Sequence, residues 1–371
     1  MDRPAVLILT TDMAVKGGTQ GVVAQLARMW TKHLRVTLAF LDGGSCVHPM
    51  EGTRIVALGP RGTTRGLRAL MLPLHILKLK RLIDSEKPDA VVSFLARANL
   101  VNVACRPLAR HRYRCIASER NFNSIQYRGG LSAYILRRAM KLMYPRADAI
   151  VVGADSLAKD LQKSFRIPAS NIVVIPNPVD AAGLRARNQH LPGDLEADGS
   201  FFLSVGRLVR QKSPELLLRA FSRVRRLKQC RLVVLGDGPL RADAERLALA
   251  LGVSDDVSFL GWRDDVSAFM SRAAALVLTS DFEGFPNVVV EAMACGCPVI
   301  ATDSPGGTAE ILGEGRYGQL VLPGDAEGLV AAMLRALDDP SLSTVAAKAM
   351  TRVREFDSAV IGRRFLDLLC G

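Results

Sequence analysis

The period of the apolar positions changes repeatedly along the chain. Short runs rich in Val, Ile, Leu and Ala predict strands at Ala5–Leu9, Val36–Phe40, Ile55–Leu58, Ala90–Ser93, Cys115–Ser118 and Ala149–Val152. Longer stretches with helical spacing lie between them, as at Gly21–Thr31 and Leu67–Ser85. The second half repeats the alternation. Strands are expected at Phe201–Val205, Arg231–Leu235, Val257–Leu260, Ala275–Thr279 and Val299–Ala301, with helices at Pro214–Lys228 and Arg241–Leu251. Such alternation predicts an α/β chain whose parallel sheets are covered on both faces. Residues 177–200 are polar, contain Pro178 and Pro192, and hold no period. The expected architecture is therefore two doubly wound, Rossmann-like domains, 1–185 and 186–371, facing each other across a cleft. The final helix is expected to pack back on the first domain. In sheets of this kind ligands sit beyond the C-terminal strand ends.

With 371 residues, 49% hydrophobic and 23% charged, the chain reads as globular rather than disordered. No apolar run reaches the ~18–20 residues that span a bilayer. The start, with Asp2, Pro4 and the Gly-rich sequel, suits a first strand better than a signal peptide. A cytoplasmic chain is expected. Seven dispersed cysteines form no CxxC pair and no zinc spacing, and read as reduced structural thiols.

Charge changes the picture. Residues 1–190 hold 29 basic and 12 acidic residues, a balance of +17, whereas residues 191–371 balance at −4. The basic half should face something anionic: nucleic acid, a membrane surface or a phosphorylated substrate. Only 5% aromatic residues and no recognisable nucleic-acid motif argue against the first. Two segments combine apolar stripes with cations. Arg65–Ile83 carries Leu67, Leu70, Met71, Leu74 and Leu77 beside Arg68, Lys78, Lys80 and Arg81, and Tyr127–Arg146 is similar. Each stripe either covers the sheet or lies on an anionic membrane at the inner face of the cell.

Four post-strand loops could carry chemistry: "GGTQG" (Gly17–Gly21), "VGRLVRQK" (Val205–Lys212), "LGDGP" (Leu235–Pro239) and "EGFPNVVVEAMACG" (Glu283–Gly296). In the last, Gly284 permits unusual backbone angles, Pro286 suits a helix start and Gly296 a helix end. That helix start offers N–H groups and partial positive charge to a phosphate. Glu283 lies before it and Glu291 inside it, with attachment points roughly 7–10 Å apart. Carboxylates aimed at phosphates would repel them; aimed at hydroxyls they accept hydrogen bonds. A nucleotide-activated sugar has this layout, with a polyol at each end and a diphosphate between. Arg207 and Lys212 would then neutralise the diphosphate. Each feature also has a purely structural reading: solvated surface charges, ordinary βα turns, a helix-start carboxylate. The conjunction of four loops in order favours the site.

That order, "GRLVRQK", "GDGP", "VSFLGWRDD" and "EGFPNVVVEAMACGCPVIATDSPGGTAEI", resembles the retaining glycosyltransferases of family 4, which have the GT-B fold. The likeness spans nearly all of the second half and is looser in the first. "SFLARANL" (Ser93–Leu100) and "SERN" (Ser118–Asn121) resemble the branch that adds hexoses or N-acetylhexosamines in bacterial surface-glycan assembly. The resemblance implies that Arg207 and Lys212 bind the diphosphate, Glu283 the transferred sugar and Glu291 the ribose. The backbone at Phe285, Asn287 and Val288 would surround sugar and phosphate. Gly261 and Arg263 would border the base, and Gly236, in the turn "LGDGP", is a further candidate substrate-binding residue. Gly17 and Gly18 would admit phosphates or acceptor. It further implies front-face attack, with the departing phosphate oxygen helping to take the acceptor proton. The nucleotide is expected to be UDP and the acceptor a glycan or polyprenyl-diphosphate-linked glycan.

One departure stands out. Many members carry a histidine after the fourth or fifth strand, where this chain reads "VVSFLARAN". Asn99, Arg97 or Glu119 would fill part of that role. No Asp-x-Asp pair like that of the other major glycosyltransferase fold is identified, so neither an obligatory metal nor another cofactor is expected. Competing readings are a nucleotide-sugar epimerase or phosphorylase of similar architecture, a nucleic-acid-binding protein, and a catalytically silent sugar-nucleotide binder.

Overall fold

The structure, a computed structural model, describes residues 3–14, 17–43, 46, 50–60, 70–186 and 200–370. The chain divides into two compact units. One comprises Met1–Pro178 with Ser358–Gly371, and the other Val179–Asp357.

The first unit holds a seven-stranded sheet in the order β3-β2-β1-β4-β5-β6-β7. Its strands are β1 (Ala5–Thr10), β2 (Arg35–Phe40), β3 (Thr53–Ala57), β4 (Ala90–Phe94), β5 (Arg114–Glu119), β6 (Ala149–Val152) and β7 (Ile172–Val174). All neighbouring pairs are parallel. Helices α1 (Gly18–Trp30), α2 (Leu72–Glu86), α3 (Ala96–Cys105), α4 (Gly130–Met143) and α5 (Asp155–Phe165) supply crossovers. The sheet order runs outward in opposite directions from β1, so right-handed crossovers place α1 on one face and α2 to α5 on the other. The C-terminal helix, Ser358–Cys370, joins the α1 side, where Phe365 meets Trp30 edge-on with ring centroids 5.7 Å apart.

The second unit holds a six-stranded parallel sheet, β10-β9-β8-β11-β12-β13. Its strands are β8 (Phe201–Val205), β9 (Arg231–Leu235), β10 (Val257–Gly261), β11 (Ala275–Leu278), β12 (Val299–Thr302) and β13 (Gln319–Val321). Helices α6 (Pro214–Leu227), α7 (Arg241–Ala250), α8 (Asn287–Ala294) and α9 (Ala326–Asp338) flank it. Phe202, Phe221, Val277 and Met333 are fully enclosed in its core. The near-continuous burial of β4, β11 and β12 explains their unalternating Val/Ile/Leu/Ala runs.

The structure also decides which face of α2 is buried. His75, Leu79, Leu82 and Ile83 pack inward, while Leu70, Leu74 and Leu77 are exposed. Leu67 and Arg68 fall outside the described residues.

Candidate active site

Loops at the C-terminal ends of β8, β9 and β10 approach one another through glycine backbones. Gly206 N–H donates to the Leu235 carbonyl at 2.9 Å, and Gly236 N–H to the Gly261 carbonyl at 2.6 Å. Gly236 has φ +133°, and a Cβ there would stand 2.0 Å from the Gly206 oxygen. Only glycine allows this contact. The approach leaves a small recess lined by Gly206, Arg207, Lys212 and Thr279. Arg207 is exposed at its edge.

The turn carrying Lys212 is fastened to the loop after β11. Thr279 Oγ1 donates to the Lys212 carbonyl at 2.9 Å, Gln211 Nε2 to the Phe282 carbonyl at 2.9 Å, and Asp281 N–H to the Gln211 carbonyl at 2.8 Å. These bonds aim Lys212 Nζ at Glu283 Oε1, 2.6 Å away. Ser280 Oγ donates to the same oxygen at 2.5 Å. Glu283 is buried, so its charge is held by a cation and a hydroxyl rather than by bulk water. An ammonium has three donors, and one is committed here.

Glu283 is braced from behind. Its N–H donates to the Pro305 carbonyl at 2.9 Å, and Gly307 N–H to the Gly284 carbonyl at 2.8 Å. Pro286 then caps α8, with Asn287 and Val288 in the first turn and half-buried. Phe285 is buried, its ring 5.6 Å from that of Phe356 in an edge-on contact. Glu291 sits one turn inside α8. Desolvation raises its carboxyl from the ordinary 4.5 to about 7. Part of the residue's surface remains exposed. A raised carboxyl favours the folded state fully below pH 4.5 and loses that contribution as pH rises through about 7. Glu291→Gln should therefore raise the melting temperature of the free protein by a few degrees at pH 8, for roughly 1–3 kcal/mol, and leave it unchanged near pH 4. Thermal denaturation across pH checks this.

At the end of β10, Arg263 is paired with Asp265 (Nη2 to Oδ2 2.5 Å) and lies over the Phe269 ring at 5.3 Å. That pairing raises the Arg263 guanidinium and lowers the Asp265 carboxyl. Arg263 is thus partly committed within its own loop. Between it and Gly261 stands Trp262, 51% exposed, which the sequence reading passed over. A large indole left in water at a strand's C-terminal end offers a stacking face. Trp262→Ala should weaken nucleotide binding about 5–50-fold with little loss of stability, measurable by calorimetry.

In the first unit, Gly17 precedes α1 in extended conformation and Gly18 opens the helix. A Cβ on Gly18 would meet nothing within 4 Å, so the free fold does not itself require glycine there. Asn99 and Glu119, expected near a substrate, are fully buried. Tyr144 donates to Glu119 Oε2 at 2.7 Å and Asn99 Nδ2 to the same oxygen at 3.4 Å. Desolvation raises the Glu119 carboxyl, and these bonds oppose it. Next to them Arg120 is buried between the rings of Phe94 and Phe365, its pKa lowered by desolvation to about 9. It donates to Asn177 Oδ1 at 2.7 Å. This group is a buried polar network behind the strand ends. Arg97 is more open and pairs with Asp42 at the end of β2. Among the described residues no three His, Cys, Asp or Glu side chains converge to hold a metal ion.

The profile of glycosyl transferases group 1 matches residues 188–353, and that of glycosyltransferase family 4 matches residues 16–182. An N-acetylgalactosamine-N,N'-diacetylbacillosaminyl-diphospho-undecaprenol 4-alpha-N-acetylgalactosaminyltransferase from Campylobacter jejuni is 30% identical over 96% of both chains. The chain belongs to the family 4, group 1 glycosyltransferases. It is a glycosyltransferase with two parallel Rossmann-like sheets of the GT-B type. Sucrose-phosphate synthase from Thermosynechococcus elongatus shares the fold, with TM-score 0.84 and 24% identity over 99% of this chain and 98% of that one. Anabaena HepE, solved with UDP and glucose, matches at TM-score 0.84 and 19% identity over 99% of both chains.

Proposed function

We propose that this glycosyltransferase moves a hexose or N-acetylhexosamine from a UDP-sugar, with retention, to a lipid-linked or surface-glycan acceptor. The observation that carries the proposal is the part-buried Lys212–Glu283–Ser280 cluster immediately before α8, with Glu291 one turn inside that helix. Lys212 and Arg207 hold the diphosphate, and Glu283 accepts hydrogen bonds from the sugar. The α8 start at Asn287 and Val288 faces phosphate, Glu291 takes the ribose hydroxyls, and Gly261 to Arg263 border the base. The acceptor hydroxyl oxygen bonds to the anomeric carbon as the carbon–phosphate-oxygen bond breaks. Its proton passes to the departing phosphate, whose charge Lys212 and Arg207 stabilise, so no metal is required. The Campylobacter relative's polyprenyl-diphosphate acceptor supports a lipid-linked glycan, and UDP in the HepE structure supports the nucleotide.

Ribose hydroxyls donating to Glu291 need the ionised carboxylate. UDP affinity should accordingly fall about ten-fold per pH unit below pH ~7, and Glu291→Gln should flatten that slope. The proposal is tested by incubating UDP-hexoses and UDP-N-acetylhexosamines with short lipid-diphosphate glycans and reading the product by proton NMR. An α-linked product from an α-linked donor is expected. An inverted product would refute retention, and no product with any UDP-sugar would refute the donor assignment.

No helix among the described residues is long and apolar enough to cross a membrane. A peripheral site at the cytoplasmic membrane face is the placement that suits a lipid-linked acceptor.

A further inference from the structure

The two residues that follow β11 each serve one side of the Lys212–Glu283 pair. Thr279 Oγ1 lies 2.9 Å from the Lys212 carbonyl and 3.2 Å from that of Ser213, and so fixes the backbone from which Lys212 reaches out. Ser280 serves the other side, through Glu283 Oε1. It is itself held in place, because its carbonyl accepts from Thr302 Oγ1 at 2.6 Å, on the last residue of β12. Ser280 is fully buried, so its hydroxyl does not meet a substrate directly. Whatever it does for the reaction it does through Glu283.

Both donors to Glu283 end on one oxygen. Lys212 Nζ stands 2.6 Å from Oε1 and Ser280 Oγ 2.5 Å from it. The hydrogen bonds that described residues make to this side chain thus leave Oε2 to accept from outside the chain. The terminal torsion of a glutamate is soft, so its bonds decide which oxygen turns outward. The two bonds differ in permanence. Lys212 sits on a flexible stem, keeps 23% of its side chain exposed, and is the cation that a diphosphate would draw. Ser280 lies three residues from Glu283 in a loop tied to β12, and no substrate group competes for it. When the diphosphate claims Lys212, the serine hydroxyl is the donor that stays.

We propose that Ser280 is a positioning residue for sugar recognition: its hydroxyl pins Glu283 Oε1 inward and thereby presents Oε2 to a hydroxyl of the transferred sugar. The inference rests on the Glu283–sugar contact of the proposed function. Without that hydroxyl the carboxylate swings about its last torsion, and the sugar meets an acceptor that is no longer aimed. UDP alone has no sugar to place and does not sense the change.

The test is calorimetric titration of UDP, UDP-glucose, UDP-galactose and their two N-acetylhexosamine counterparts into the full chain. Ser280→Ala should weaken the tightest-binding UDP-sugar about 10-fold and UDP by less than about 2-fold. The UDP titration also reports that the variant is folded. In a Glu283→Ala background, adding Ser280→Ala should change UDP-sugar affinity by less than about 2-fold, because the two residues act as one unit. A Ser280→Ala variant that binds the UDP-sugar like wild type overturns the proposal. So does one that weakens UDP and UDP-sugar equally, or one whose effect persists in full beside Glu283→Ala. Wild-type protein that binds none of the five uridine nucleotides would overturn the proposed function and this role with it.

Discussion

Lys212→Ala should lower kcat/KM by about 10²–10³, the usual loss when one donor to a developing anion is removed. Two effects combine. The diphosphate loses a cation that the Thr279 and Gln211 hydrogen bonds hold in place, and Glu283 is left buried with only Ser280 as a partner. Stranding a buried charge costs up to ~3–5 kcal/mol, but Lys212 is 23% exposed and water can reach the vacated space, so about 1–3 kcal/mol is expected. The two contributions separate in the double variant Lys212→Met, Glu283→Gln. It should recover most of the stability and none of the activity. Steady-state kinetics with chemical denaturation on the single and double variants provides the check.

The second large effect is expected from Gly306→Ala. Gly306 has φ +136°, and a Cβ would lie 2.1 Å from the Glu283 carbonyl oxygen, a backbone atom that cannot swing away. Relief requires the Glu283–Gly284 segment to move, which pulls Glu283 off Lys212 and shifts the start of α8. Overpacking and backbone strain together should cost about 2–4 kcal/mol, with activity falling at least ~10-fold. Gly252→Ala is the control. Gly252 also has positive φ, +72°, but nothing lies within 4 Å of a Cβ there, so only the strain of about 1–2 kcal/mol remains. Equal losses in the two variants would show that the contact behind Glu283 does not matter.

These two positions show what the sequence reveals and what it hides. Long β-branched runs and the Glu283–Glu291 spacing can be read directly, because burial on both faces and a helix start leave marks in consecutive residues. Strands β7 and β13 escaped the reading. Each is three residues long, and Ile172–Val174 is only half-buried, too short and too exposed to show a period. The bracing of Glu283 by Pro305–Gly307 joins segments more than twenty residues apart, and nothing local in "SPGG" announces its partner. Asn99 and Glu119 look like site residues in sequence because polar groups after a strand resemble one another whether they face a ligand or a buried tyrosine. Only packing tells them apart, and here the buried Tyr144 hydroxyl accepts from Asn99 and donates to Glu119. The apolar stripe of α2 posed the reverse problem: two faces of similar hydropathy, with burial falling on the one at His75, Leu79, Leu82 and Ile83.

The proposed donor site is built on Lys212, Glu283 and Glu291 in the second unit. Calorimetric titration of UDP-, GDP- and ADP-sugars into the full chain at pH 8, without metal and then with Mg²⁺, tests it most directly. A UDP-sugar should bind without metal, and Lys212→Ala should abolish the heat. Binding that Lys212→Ala leaves unchanged, or no binding of any of the three nucleotides, would contradict it.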